Sequence, residues 1–202
     1  MEIQQTILAA AEVAFSHSGY SSVTLKDVAA EARVAESVLY RYFPSKAALF
    51  RQALLVPLLE VLDSFSSASA RYVEYAIDAR SILRLLVGSL MDQLAEHRAA
   101  LRSIATAEDD LPHDEREHLH QALADVMVSL SSVARREQDR RGTAVYDAGV
   151  ELSMRALVGM VISLVTHDAW LLRGLPGNPS RTEIVDHLVE MMLRAHPPPS
   201  NT

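Results

Sequence analysis

Apolar side chains recur every three or four residues along most of this chain, and that period constrains the fold more than any other feature. It runs through residues 3–17, 79–96, 98–107 and 181–195. Such a period puts one apolar stripe on each helix, whereas a half-buried strand needs strict alternation of apolar and polar residues. No alternating run is present, and aromatic residues make up only 5% of the chain. The sequence therefore predicts an all-α fold with about nine helices.

Composition excludes several classes of protein. The chain has no cysteine, so disulfide frameworks and thiolate metal sites are excluded. The longest apolar run, residues 156–165, is about half of the ~20 residues that a membrane span needs. The first segment predicts an amphipathic helix with polar residues on one side rather than a signal peptide. We therefore expect a cytoplasmic protein with no membrane partner.

Helix start signals divide the chain into a small head and a larger second domain. Thr24 opens a second helix with Asp27 three residues later, a capping-box pattern, and Ser45 caps a fourth helix. Between these caps lie two short helices that are joined by a tight turn and supported by the first helix, which is the arrangement of a helix-turn-helix. We predict this three-helix domain at residues 1–45 and a helical-bundle domain at residues 46–202.

A helix-turn-helix needs a slim second helix whose first residues reach base edges, and here Ala35, Glu36 and Ser37 occupy that position. Hydroxyl and cationic side chains around the rim of such a module contact phosphates. The rim residues that we assign to DNA are Thr24, Lys26, Arg33, Tyr40, Tyr42 and Lys46. Lys46 opens the fourth helix, where a cation opposes the helix dipole, so a bound phosphate explains it better than stability does.

These residues resemble the DNA-binding domain of the TetR family of transcriptional regulators. The resemblance spans residues 7–50, about a quarter of the chain, and rests on five stretches in order: Ala14-Phe15, Gly19-Tyr20, residues 24–29, residues 38–43 and residues 44–50. It implies a homodimer on a palindromic double-stranded DNA operator, an all-helical ligand-binding and dimerisation domain, repression as the usual outcome, and a small apolar or amphipathic effector. Arg33 departs from the family, which commonly has glycine in the turn; if a positive φ is needed there, arginine costs about 1 kcal/mol.

Charge does not by itself indicate a DNA-binding protein. The net charge is −7, although residues 1–51 carry five basic and five acidic residues and contain the only two lysines of the chain. Glu36 either accepts a hydrogen bond from cytosine or only favours the positive end of a helix dipole, and the two tyrosines have an alternative role in packing the head. An alternative function is therefore a helical interaction or metal-sensing module that has lost or altered DNA binding.

The second domain carries candidates for an effector pocket and for a dimer interface. Adaptable side chains of the kind that lines cavities are Tyr72, Met91, Met127, Met160, His167 and Trp170, with plain core packing as the alternative for each. The last two helices have apolar stripes too wide for a monomer to bury, and small residues there allow close helix approach. The interface residues that we assign are Ala156, Gly159, Ser163, Ile184, Leu188 and Met192.

No sequence pattern for catalysis, a cofactor or a metal is present. The chain lacks a paired Glu-x-x-His set, a glycine-rich phosphate loop and a strand–turn–helix nucleophile site, so we predict neither enzyme activity nor a cofactor. His113, His118 and His120 lie among carboxylates, but the last two do not share a helix face, which favours a solvated surface. Pro57 lacks an N–H inside the fourth helix and is either a pivot for effector-driven motion or a site where the helix curves.

Overall fold

The computed structural model describes residues 2–75, 78–141 and 148–195. The first helices are α1 (Glu2–Ser22), α2 (Leu25–Glu31), α3 (Glu36–Tyr42) and α4, which runs through Lys46–Phe50, a π turn at Arg51–Leu55, and Val56–Tyr75. The others are α5 (Ala79–Glu96), α6 (Arg98–Ala107), α7 (His113–Arg141), α8 (Ala148–Leu171) and α9 (Arg181–Ala195), with a 3₁₀ turn at Glu108–Asp110. These ranges contain no strand, so the predicted all-α fold is confirmed.

An aromatic cluster at the centre of the head joins α1 to α4. The ring of Phe50 packs edge-on against Phe15 at 5.1 Å and against Tyr20 at 5.0 Å between centroids. All three rings are buried. Gly19 interrupts α1 with φ +76°, a left-handed conformation that glycine adopts without steric cost, and the next residue returns to the cluster.

Pro57 does not break α4, and a π turn lies immediately before it. Proline has no N–H for the carbonyl four residues earlier, which belongs to Ala53. In the π turn the N–H of Val56 instead bonds to the carbonyl of Arg51, five residues back. Arg51 and Val56 both keep right-handed helical dihedral angles, so α4 continues as one helix with a widened turn.

The first of two compact units contains residues 1–61 and 97–124. In it α6 packs along α1, and the buried hydroxyl of Ser103 donates a 2.9 Å hydrogen bond to the carbonyl of Phe15. Helix α6 and the start of α7 thus belong to the same compact unit as the head. Our functional boundary between residues 45 and 46 stays a prediction.

The second unit contains residues 62–96 and 125–202, with α5 packed against α8 and α9. Three ion pairs hold α5 to α9: Arg80–Glu190, Arg84–Asp186 and Arg181–Asp92. Arg181 also donates a 2.7 Å hydrogen bond to the carbonyl of Gly88. A Cβ atom at position 88 would lie 3.1 Å from the Arg181 guanidinium, so the absence of a side chain permits this close approach.

Helix α8 is apolar, but the described part of the chain covers it poorly. By length and composition alone, its segment Glu151–Leu171 could cross a membrane. Only 28% of the most apolar stretch of this segment is buried within the structure. Glu151 and Arg155 form a 2.9 Å ion pair on the same helix, which suits a wet interface better than lipid. An exposed apolar surface of this kind indicates contact with another molecule.

Candidate nucleic-acid interface

Thr24 fixes the start of α2. Its hydroxyl accepts the N–H of Asp27 at 3.1 Å, and the Asp27 carboxylate accepts the N–H of Thr24 at 3.0 Å, so the predicted capping box is present. The hydrogen bonds from the Thr24 hydroxyl and N–H stabilise the ionised carboxylate and hold the pKa of Asp27 below its usual value. Thr24 therefore has a structural role at the edge where we also predict a phosphate contact.

The turn between α2 and α3 contains a left-handed residue. Arg33 has φ +54°, so the conformation that usually favours glycine is adopted here by an arginine. The N–H of Arg33 bonds to the carbonyl of Ala30 at 3.1 Å, and the N–H of Val34 bonds to the carbonyl of Ala29 at 3.0 Å. The backbone thus tolerates a strain of about 1 kcal/mol and presents an exposed cation at the turn.

Helix α3 exposes the side that we predict to face DNA. Leu39 is fully buried and anchors the helix, whereas Ala35, Glu36 and Ser37 are exposed in and beside its first turn. Tyr40 follows with 51% of its surface accessible. This arrangement leaves the N-terminal part of α3 free to enter a groove, as base reading by a helix-turn-helix requires.

The remaining rim residues differ in their exposure. Tyr42 is half-buried, and the guanidinium of Arg41 lies 5.3 Å from the centre of its ring. Lys26 is exposed in the first turn of α2. Contacts of both rim residues with DNA stay predictions.

Lys46 is held by its own chain. Its Nζ donates to the carbonyl of Ser21 at 3.2 Å and lies 4.4 Å from the centre of the Tyr20 ring. Ser21 lies at the C-terminal, negative end of α1, so this contact compensates for the unfavourable place of the cation at the start of α4. A phosphate is therefore not needed to explain Lys46, although an ammonium has further donors to offer one.

Ser21 connects Lys46 to an acidic turn. The Ser21 hydroxyl donates a hydrogen bond to the carboxylate of Asp110, in the 3₁₀ turn between α6 and α7. Burial lowers the pKa of Lys46, and the negative charge of Asp110 opposes that effect. Burial likewise raises the pKa of Tyr20, with Glu115 and Asp110 adding to the rise. Sequence analysis assigned no role to this carboxylate, because its partner is 89 residues away in the chain.

The second unit contains an apolar cavity of about 30 Å³. Every lining residue is apolar, and the lining comes chiefly from Phe65, Leu86, Leu90, Leu130, Met154 and Leu157. Sequence analysis missed these positions because an apolar stripe looks the same whether it faces solid core or a cavity. Its apolar lining offers no partner to a charged group, and its volume is far below the ~300–1,000 Å³ of a pocket for a drug-sized ligand.

The predicted pocket residues do not line this cavity. Trp170 is 63% exposed, and its ring contacts that of His167 on the surface at 5.7 Å between centroids. Met91 is buried, Met127 and Met160 are half-buried, and the side chain of Tyr72 lies outside the described residues. A role for these six residues in an effector pocket therefore stays a prediction.

The predicted dimer residues separate into two groups. Ala156 and Gly159 are exposed on α8, Ser163 is half-buried, and a Cβ atom at position 159 would meet nothing within 4 Å. On α9, Ile184 is half-buried. Leu188 and Met192, however, are 4% and 9% exposed and pack inside the second unit, so they are core residues. The exposed side of α9 instead carries Met191, at 43%.

The described residues contain no group of histidines and carboxylates arranged to hold a metal ion. His120 contacts Glu108 through Nε2 and Oε1 at 2.8 Å, and both side chains are about half exposed. This geometry is that of a surface ion pair.

The N-terminal part of the chain is similar to a known family. The family described as "Bacterial regulatory proteins, tetR family" matches residues 7–53. Nucleoid occlusion factor SlmA from Aliivibrio fischeri is 28% identical to this chain over 159 residues, which is 78% of each protein.

Solved structures of similar fold include two regulators named FadR. The fatty acid degradation regulator FadR from Bacillus halodurans superposes with a TM-score of 0.70 at 19% identity, covering 96% of this chain and 95% of that one. FadR from Bacillus subtilis, in complex with stearoyl-CoA, gives a TM-score of 0.69 at 17% identity, covering 95% and 98%. At these identities the likeness concerns the fold.

Proposed function

We propose that this chain is a ligand-responsive repressor of the TetR family of bacterial transcriptional regulators, whose family model matches its residues 7–53. In this proposal a homodimer in the cytoplasm binds a palindromic operator, and a small apolar effector releases it. The two recognition helices of such a dimer have to lie about 34–36 Å apart to reach successive major grooves. An effector that changes this spacing lowers DNA affinity.

The observation that carries the proposal is the exposed first turn of α3 in a helix-turn-helix. Ala35, Glu36 and Ser37 are exposed while Leu39 anchors the helix, and exposed cations lie at Lys26 and Arg33. A head built only for protein contacts has no need for a strained turn that carries a cation.

DNA binding is tested with fragments from upstream of the gene itself. Tyr42→Ala and Lys46→Ala should weaken binding to all sequences about equally, because phosphate contacts carry no sequence information. Loss of Lys46 should also reduce the salt slope by about one unit per phosphate contact. Arg173→Ala, an exposed cation between α8 and α9, is the matched control. A changed base preference at unchanged affinity would assign these residues to base reading instead.

The apolar cavity supports an effector with a hydrocarbon chain. All of its lining is apolar, and the similarly folded FadR from Bacillus subtilis was solved with stearoyl-CoA. A cavity of about 30 Å³ has room for only a small part of such a chain, so binding has to widen it and shift the protein toward a second arrangement.

A series of acyl-CoA thioesters of increasing chain length tests the effector class. Longer chains should raise the melting temperature of the protein and release it from DNA at lower concentration, since each buried CH₂ contributes about 0.8 kcal/mol. Met154→Trp, at the half-buried edge of the cavity, should weaken this response, whereas Val128→Trp on the exposed side of α7 should not. Release that is independent of chain length would exclude a hydrocarbon effector.

The exposed sides of α8 and α9 support the homodimer. Leu152, Ala156 and Gly159 lie exposed along α8, and Met191 is exposed on α9. Small residues let a second pair of helices approach closely, which gives a symmetric four-helix contact.

The likeness to SlmA favours a second candidate function, in which the protein acts on the nucleoid rather than on one promoter. Mapping of bound sites along the chromosome separates the two. A repressor of one operon occupies a few promoters, whereas a nucleoid factor occupies many dispersed sites.

A further inference from the structure

A carboxylate is attached to the head at the place where we assign a phosphate contact. Asp110 accepts a hydrogen bond from the hydroxyl of Ser21, and Lys46 donates one to the carbonyl of the same serine. One residue thus holds an anion and a cation beside each other. The ring of Tyr20, 4.4 Å from the Lys46 Nζ, further limits where the ammonium can move.

We propose that Asp110 competes with the DNA phosphate for Lys46, and that the docked 3₁₀ turn thereby lowers the affinity of the head for DNA. The inference rests on the proposed DNA-binding function. It adds a residue that tunes affinity from outside the helix-turn-helix.

Coulomb's law gives the direction of the effect. A phosphate that binds Lys46 has to draw the ammonium away from Asp110, so the attraction between these two charges is given up. For unit charges about 6 Å apart in a water-like medium, this lost attraction corresponds to roughly a threefold change in affinity per head. Salt weakens the effect, because exposed charges are screened over about 8–10 Å.

Structural stabilisation alone does not account for this arrangement. Asp110 is exposed, and exposed ion contacts contribute little to folding. Asp109 precedes it in the same 3₁₀ turn and is exposed as well. The hydrogen bond to Ser21 is therefore the feature that distinguishes the two carboxylates.

The test compares Asp110→Asn with Asp109→Asn in the full-length protein. Asparagine still accepts the hydroxyl of Ser21, so the first variant removes the charge and keeps the contact. Both variants change the net charge equally. We expect Asp110→Asn to bind operator DNA about threefold more tightly per head at low salt, and Asp109→Asn to change affinity distinctly less.

Combining Asp110→Asn with Lys46→Met tests whether the gain in DNA affinity depends on Lys46. The extra gain from Asp110→Asn should disappear in the Lys46→Met background, because the competitor then has no cation to compete for. Thermal melts show that each variant is folded. Lys46→Arg, which restores a cation, should restore the gain.

Two outcomes overturn the inference. One is an equal gain from Asp109→Asn and Asp110→Asn, which would indicate a general charge effect. The other is a gain from Asp110→Asn that persists without Lys46. Failure of the parent protein to bind any DNA at low salt is a different result, and it would instead remove the proposed function.

Discussion

The guanidinium of Arg51 lies 2.9 Å from the carboxylate of Glu115 and joins the π turn of α4 to the first turn of α7. Glu115 is only 15% exposed and Arg51 is 36% exposed, so the pair is partly shielded from water. We expect Glu115→Gln to lower the free energy of unfolding by about 1 kcal/mol, after allowance for screening at the arginine. Urea denaturation measures this change. Glu117→Gln, on the exposed side of α7, is the control, and an equal loss there would show that the pair contributes nothing specific.

Pro57→Ala supplies an N–H for the carbonyl of Ala53, so α-helical bonding becomes possible where the π turn at Arg51–Leu55 stands. If α-helical bonding replaces the π turn, the residues on its two sides shift relative to each other by one position, which is a rotation of about 100° around the helix axis. We expect a larger change in effector sensitivity than in effector-free DNA affinity, measured by titrating the effector into the protein–DNA complex. Pro112→Ala, before α7 begins, provides the comparison. An unchanged response and unchanged DNA binding would mean that Pro57 is not a pivot.

Two substitutions of Arg33, which has a positive φ, separate its effect on stability from its effect on DNA binding. Arg33→Gly relieves the positive φ and should stabilise the protein by about 1 kcal/mol. Arg33→Ala removes the charge but keeps the strain, so it should not stabilise. Both variants should weaken DNA binding if the side chain contacts a phosphate, as salt titrations of the Kd will show. Undiminished affinity in both would assign Arg33 to the turn alone.

The capping box predicts a specific pH dependence. Thr24→Ala should lower the free energy of unfolding by about 1 kcal/mol at neutral pH. Hydrogen bonds from Thr24 depress the pKa of Asp27 in the folded state, so the stability they confer is complete above the unfolded pKa and is lost as pH falls through the folded pKa. The difference between parent and variant should therefore shrink below about pH 4.

Thr6→Ala is the control for this pH dependence. The Thr6 hydroxyl bonds to the backbone carbonyl of Glu2, a group that does not titrate. Its stability difference should stay constant in denaturation curves recorded over the same pH range. A constant difference for Thr24→Ala as well would contradict the role of the ionised carboxylate.

Gly159→Asp tests dimerisation without disturbing the monomer. A Cβ atom at this position meets nothing within 4 Å among the described residues of the same chain, so a side chain is accommodated there unless a partner subunit covers it. We expect sedimentation velocity to show a dimer for the parent and a monomer for the variant at micromolar concentration, because a stable interface of at least about 1,000 Å² does not tolerate a buried charge. Val128→Asp, at a 54% exposed position, should remain dimeric. A dimeric Gly159→Asp would place the interface elsewhere.

Local signals in the sequence were sufficient to predict where the second and fourth helices begin. The capping box at Thr24 and the cap at Ser45 depend on residues three positions apart, and both are present as predicted. The helix period likewise predicted α9 at residues 181–195. Such features involve short-range hydrogen bonds and one-sided burial, which sequence spacing records directly.

Contacts between distant segments could not be predicted in this way. Leu188 and Met192 belong to an apolar stripe on α9. The sequence alone does not tell which residues of this stripe are buried in the core and which face another subunit, and packing against the other helices buries these two. The bond from Ser103 to the carbonyl of Phe15 spans 88 positions and leaves no local pattern. The same holds for Ser21 and Asp110.

The close approach of Arg181 to Gly88 predicts which residues occur together at these two positions in related sequences. The guanidinium binds the carbonyl of residue 88 and the carboxylate of Asp92 together, and a Cβ atom at position 88 would lie 3.1 Å from its nearest nitrogen. Even alanine at 88 requires the guanidinium to shift by a few tenths of an ångström, so related sequences that keep arginine at 181 should favour glycine at 88. Positions 88 and 181 are therefore expected to change together among related sequences, although they are 93 residues apart in the chain.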